Sequence, residues 1–132
     1  MTILVAVDAN IILSALLGGK PSVLLFDPRF RFITTAFTIT EVRKYLPRLA
    51  QKLALPREEL ERLLTMLPVS IHDRDVYQTS MPEAEGMIGY IDDKDVDILA
   101  LALRQGAYLW SQDKDFDMCG YGKVMKTYDF IA

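Results

Sequence analysis

Four places in this 132-residue chain carry carboxylates where they could do chemistry: Asp8, Glu41, the run from Asp92 to Asp97, and Asp113 with Asp115. Carboxylates crowded together repel one another unless they are protonated or share a cation. The only histidine is His72 and the only cysteine is Cys119, so ligation by oxygen alone points to Mg²⁺ or Mn²⁺ rather than zinc. Such a centre suits hydrolysis of a phosphodiester. The cation holds a phosphate oxygen, lowers the pKa of a bound water and stabilises charge on the leaving oxygen. No protein nucleophile is required: nothing near Cys119 marks a base for it, and His72 reads as a loop or surface residue rather than a ligand.

The elements that must position these acids are strands alternating with helices. Ile3-Leu-Val-Ala-Val7 is an apolar, β-branched run of the kind buried on both faces of a parallel sheet. Asp8 stands at its carboxyl end, where ligands bind in open α/β sheets, although an Asp there also serves as a helix N-cap. Residues 11–18 read as a helix stopped by Gly18-Gly19, residues 21–27 as a short helical piece before Pro28, and residues 31–35 as a second strand. A helix is expected from Thr38, with Thr38 and Glu41 spaced as a capping box and with Pro47 ending or kinking it.

The spacing predicts another helix over 56–67, with Pro56 at its start and Leu60, Leu63, Leu64 and Leu67 on one buried face. Residues 69–71 form a weak third strand and residues 76–87 a helix. The acids from Asp92 open a further helix closed by Gly106, as the helix dipole favours. Strands over 107–110 and 123–125 follow, and residues 128–131 form a tail. In that acidic helix Asp95 lies three, four and seven residues before Ile98, Leu99 and Ala102 and so shares their packed face. Asp97 belongs to another side, and Asp92 lies just outside the helix near Asp95. Lys44, Arg48 and Lys52 recur every four residues, a stripe that could meet RNA phosphate or simply face water.

The class is therefore α/β with a parallel sheet, in one domain spanning 1–132. Hydrophobic residues at 51% and charged residues at 25% are ordinary for a globular chain. No apolar run is long enough for a membrane span and no secretory signal is visible, so a cytoplasmic protein with no membrane partner is expected. A single cysteine fits a reducing compartment. The net charge of −3 argues against a general basic coat for nucleic acid, but a divalent cation inverts the electrostatics of an acid cluster.

Taken together, Asp8-Ala-Asn10, Thr40-Glu41-Val42, Asp92-x-x-Asp95-x-x-Ile98-Leu-Ala-Leu-Ala102 and Ser111-x-Asp113-x-Asp115-Phe116 resemble the acidic motifs of PIN-domain nucleases in order and spacing. The resemblance runs from about residue 3 to 131, with 46–90 contributing no motif. It implies a three-layer α/β/α fold around a parallel sheet of about five strands, and cleavage of single-stranded RNA dependent on Mg²⁺ or Mn²⁺. Asp8, Glu41, Asp95 and Asp113 match the family's four acids. Asp8, Asp95, Asp113 and Asp115 are the implied metal ligands, with Asn10, Ser111 and Asp92 in support; Lys44, Arg48 and Lys52 are candidate RNA contacts from their spacing alone, with a solvated face as the alternative.

Small proteins of this kind are commonly VapC-like toxins, held inactive by an antitoxin and often dimeric, so a protein antitoxin and a second copy are the expected partners. The alternatives are an RNA-processing nuclease that is not a toxin and a non-catalytic PIN-fold module binding RNA or protein. An aspartyl phosphotransferase would want a second aspartate two residues after Asp8, where Asn10 stands. Either Asp113 or Asp115 could be the closer ligand.

Overall fold

Alternation along the strands decides the architecture. In β1 (Ile3–Val7), Val5 and Val7 face one way and Ala6 the other, and all three are fully buried. A strand buried on both faces needs a layer of helices on each. The computed structural model, which describes residues 2–130, supplies both layers.

The sheet is five-stranded and wholly parallel, in the order β3-β2-β1-β4-β5. From β1 the chain runs through α1 (Ala9–Leu16) and α2 (Pro21–Leu24) to β2 (Phe30–Thr35). It continues through α3 (Ala36–Leu53) and α4 (Arg57–Met66) to the edge strand β3 (Val69–His72). It then crosses back through α5 (Arg74–Tyr77), α6 (Met81–Ala84) and α7 (Val96–Gln105) to β4 (Tyr108–Trp110), on the other side of β1, and ends at β5 (Val124–Met125). The order reverses between β1 and β4, and a crevice opens at the carboxyl ends of strands at such a point.

One core holds α1, α3 and α4 against Val5, Val7, Phe32 and Trp110. The other holds α5, α6 and α7 against Ala6, Ile33 and Leu109. Trp110 has no exposed surface; its ring lies 4.3 Å from that of Phe130, and its indole N–H donates to Thr127 Oγ1 at 3.2 Å. Burial of a side chain of this size stabilises by roughly 3 kcal/mol or more.

Several expectations are corrected. Helix α3 begins at Ala36 and is capped by Thr35, whose Oγ1 accepts from the Thr38 N–H at 2.8 Å, so Thr38 and Glu41 form no capping box. The run Thr35-Ala-Phe-Thr38 carries a better cap because Thr35, the last residue of β2, keeps the extended backbone an N-cap needs. Pro47 does not end α3. It sits on the solvent face, where the Arg43 carbonyl it leaves unbonded can be hydrated, while Leu46, Leu49 and Ala50 hold the helix to the core.

In α4, Leu60 and Leu64 are buried but Leu63 is 37% exposed and Leu67 only partly covered, and Pro56 is the N-cap rather than the first helical residue. The expected helix over 76–87 is broken into α5, a 3₁₀ turn, α6 and a π turn over Glu85–Gly89. His72 closes β3 instead of lying in a loop. The tail forms a 3₁₀ turn over Thr127–Phe130, and its last expected residue, Ile131, lies outside the described residues.

Candidate active site

Asp8 caps α1 and also faces the crevice. Its Oδ1 accepts from the Ala9 N–H at 2.8 Å, while its Oδ2 accepts from the Ser111 hydroxyl at 2.7 Å and the Asn10 amide at 3.3 Å. Ser111 follows β4, and its hydroxyl oxygen also accepts from the Asp113 N–H at 3.0 Å and from Asn10 Nδ2 at 3.2 Å. Asn10 Oδ1 in turn accepts from the Gln112 N–H at 3.3 Å. The ends of β1 and β4 are thus joined by one network in which each polar group of Asp8, Asn10 and Ser111 has a partner.

The third motif enters from the opposite helical layer. Asp92 caps a 3₁₀ turn over Asp93–Asp95 by accepting from the Lys94 N–H at 3.0 Å. That turn runs directly into α7, which Gly106 ends in the left-handed conformation (φ +63°) that glycine adopts most readily. The turn brings the Asp95 carboxylate into the crevice, where it is only 7% exposed. Asp92, Asp95 and Asp115 each offer an oxygen within 4.8 Å of the others. Asp115 is set by its own N–H donating to Asp113 Oδ1 at 3.0 Å.

Asp8, Glu41, Asp92, Asp95 and Asp113 line one cleft of about 190 Å³, together with Asn10, and Ser111 lies behind it. Glu41, nearly two turns past the cap of α3, is mostly covered and pairs with Lys44 at 3.0 Å.

The charges do not balance. Burial, and then the negative charges of Asp8, Asp113, Asp92 and Asp115, push the Asp95 carboxyl up to about 8. Asp8 is raised as well, chiefly by burial and further by Asp113 and Asp92, against the pull of its bonds from Ser111 and Ala9. Asp115 is raised by desolvation and by Asp113 and Asp92. Among the described residues, Asp95 Oδ2 is the one buried side-chain oxygen or nitrogen with no hydrogen-bond partner. A buried carboxylate oxygen without a partner, facing four more acids, fits a hard divalent cation, and the all-oxygen donor set suits Mg²⁺ or Mn²⁺.

Asp97 lies elsewhere, as its helical phase requires. It is buried beside Tyr77, whose hydroxyl donates to it, and beside Arg74, whose Nε and Nη2 donate at 3.1–3.2 Å. Asp93 lines a neighbouring cavity, and His72 lies on β3 away from the cleft. Lys44, Arg48 and Lys52 are exposed on α3, which runs unbroken through Pro47, so they do share a face. Sequence reasoning missed Leu13, Thr38, Tyr45 and Lys94 in the cleft wall. Lys94 could have been found from its place between Asp92 and Asp95, and Tyr45 from its spacing of four after Glu41.

The family model described as PIN domain matches residues 6–129 of the chain. No curated protein matches it. Among solved structures, the chain resembles one in the crystal structure of VapBC2 from Rickettsia felis bound to a promoter DNA fragment, with a TM-score of 0.73 at 12% identity, over 94% of this chain and 98% of that one. It also resembles a toxin–antitoxin complex from Klebsiella pneumoniae (TM-score 0.65, 19% identity, 92% and 95% covered). A third likeness is to VapC20 of Mycobacterium tuberculosis, a toxin that cleaves the sarcin–ricin loop (TM-score 0.62, 16% identity, 91% and 98% covered). At these identities the likeness is one of fold: a parallel sheet between two helical layers.

Proposed function

This chain belongs to the PIN-domain family, and from that membership we propose that it is a metal-dependent endoribonuclease and the toxin of a toxin–antitoxin pair. The observation that carries the reading is Asp95: a buried carboxylate with an unpartnered oxygen, raised to about 8 by burial and by the four acids around it. A carboxylate so placed is poorly suited to stabilising the fold and well suited to binding a cation.

Asp8, Asp95, Asp113 and Asp115 would hold Mg²⁺ or Mn²⁺, joined by Asp92 from the same tight group. When bound, the cation supplies an activated water and stabilises charge on the phosphate oxygens. Ser111 and Asn10 orient Asp8 through their bonds to its Oδ2. Glu41, which lines the same cleft, would orient the attacking water and accept its proton. The toxin assignment is supported by the VapBC and toxin–antitoxin complexes among the structures of similar fold. It implies a protein antitoxin as partner, a second copy of the chain in the active assembly, and work in the cytoplasm.

The test uses purified wild type and Asp95→Asn on a mixed pool of single-stranded RNA, each with Mg²⁺, with Mn²⁺ and with EDTA. Metal-dependent cleavage by wild type that the variant lacks is expected. Equal cleavage by both proteins would overturn the site. Binding without cleavage by folded wild type would make the protein a non-catalytic binding module instead.

A further inference from the structure

Glu41, Tyr45, Arg48 and Lys52 stand at i, i+4, i+7 and i+11 on α3, which places them in one stripe along the helix. The stripe begins in the acid cleft, because Glu41 and Tyr45 both line it. It then leaves the cleft across the outer surface over roughly 16 Å, at about 1.5 Å of rise per residue. Tyr45 is 43% exposed although it lines the cleft, so part of its side chain is open to solvent. Arg48 and Lys52 are exposed, and neither takes part in an ion pair among the described residues. The other two basic residues of α3 are engaged, Arg43 by Glu61 and Lys44 by Glu41.

An aromatic ring at the mouth of a cleft followed by unpaired cations at helical spacing is the arrangement that holds single strands. Bases stack on the ring irrespective of their identity, and the cations follow the phosphates. The chain's net charge of −3 makes a local basic stripe the more notable, since it is no by-product of a generally basic surface. We propose that single-stranded RNA leaves the acid cleft along this face of α3, with a base beside the scissile phosphate stacked on Tyr45 and the following phosphates on Arg48 and Lys52. The proposal rests on the nuclease reading for what happens in the cleft, and it adds where the strand lies and which residue holds it.

The experiment measures binding of a mixed-sequence pool of short single-stranded RNA carrying 2-aminopurine and kept intact by EDTA, as a function of salt, alongside cleavage of the same pool with Mg²⁺ or Mn²⁺. Tyr45→Ala should weaken binding by about tenfold and abolish the quenching of 2-aminopurine, whereas Tyr45→Phe should retain both, because stacking needs the ring and not the hydroxyl. In cleavage, Tyr45→Ala should raise KM more than it lowers kcat. Arg48→Gln and Lys52→Gln should each flatten the salt slope by about 0.7, the value for one phosphate contact on a single strand.

Unchanged affinity in Tyr45→Ala, or equal loss in Tyr45→Phe, would overturn the stacking role. An unchanged salt slope would overturn the phosphate track, and failure of wild type to bind the pool would overturn both. Binding with these signatures but without cleavage would leave the track standing and remove the nuclease reading. Cleavage with none of them would do the reverse.

Discussion

The Ser111 hydroxyl donates to Asp8 Oδ2 at 2.7 Å, tying two strand ends that are 103 residues apart in the chain. The same hydroxyl oxygen accepts from the Asp113 N–H, so the position of the first acid and that of the last motif depend on one side chain. Ser111→Ala should therefore cost about 1–3 kcal/mol of stability, because Asn10 and the Asp113 amide lose an acceptor in a buried place. Metal affinity should fall by about 10–100-fold, as when other residues that orient metal ligands are removed. Urea denaturation and Mn²⁺ titration would check the two effects separately, and an unchanged affinity would show that Asp8 needs no positioning.

Asp95 should behave as a site that opposes folding without metal. Its carboxyl is raised to about 8 in the folded chain against 3.8 in an unfolded one. Below about pH 4 both states hold the proton and the group makes no difference. Between about 4 and 8 the unfolded state gives the proton up more readily, so stability falls as pH rises through that window and levels off above it. Thermal melts in EDTA should show this fall. Asp95→Asn should flatten it and melt higher than wild type at pH 8, and a wild-type melting temperature that rises from pH 5 to 8 in EDTA would contradict the raised pKa.

Metal binding should show the same linkage from the other side. A cation must displace the proton held on Asp95, so Mn²⁺ affinity should increase with pH up to about 8 and binding near pH 7 should release protons. Calorimetry in buffers of different ionisation enthalpy would measure the proton count. Asp95→Asn should release fewer protons, bind more weakly and lose at least about a thousandfold in cleavage rate, since the proposed metal centre would contribute several kcal/mol to the transition state.

Arg74 and Tyr77 hold the buried Asp97 at the start of α7, two residues beyond Asp95. Arg74→Ala should cost about 2–3 kcal/mol by leaving that carboxylate with the tyrosine alone, somewhat less than the loss of a fully buried ion pair. The Arg74 side chain is mostly exposed, so the reverse change, Asp97→Ala, should cost less on its account and more through the cavity and the stranded hydroxyl. Chemical denaturation of both variants would compare them.

Ala54 ends α3 in the left-handed conformation, at φ +54°, with its own N–H and that of Leu55 bonded back to Gln51 and Ala50. A Cβ there is strained and glycine is not. Ala54→Gly should raise stability by about 0.5–1 kcal/mol and leave cleavage unchanged, as a paired melt and activity assay would show. A loss of stability would mean that the added freedom of the unfolded glycine outweighs the relieved strain.

The strands, the helices that begin and end at glycine and acid, and the places of Asp8, Glu41, Asp95 and Asp113 at strand ends and helix starts were legible in the sequence, because each depends on local pattern. A β-branched run reads as a buried strand wherever it packs, whereas Asp95 reaches the crevice from the 3₁₀ turn before α7 and not by sharing one packed face of that helix, which is buried all round from Val96 to Ala102. The broken helices of 74–89 were not legible. Their apolar residues, Tyr77, Ala84 and Ile88, are placed by α7 and not by a period of their own.

What the sequence determined by itself is the order of the strands and helices and the kinds of residue at their ends. The spacing of acids and glycines sets these through backbone preference and burial. Only the tertiary structure decided which acids meet. It alone placed Asp92 and Asp115 within 4.8 Å of Asp95, left Asp95 Oδ2 without a partner and carried α3 past Pro47. Those facts depend on contacts between residues distant in the chain, where packing against the sheet outweighs the local preference of a proline or the mutual repulsion of carboxylates.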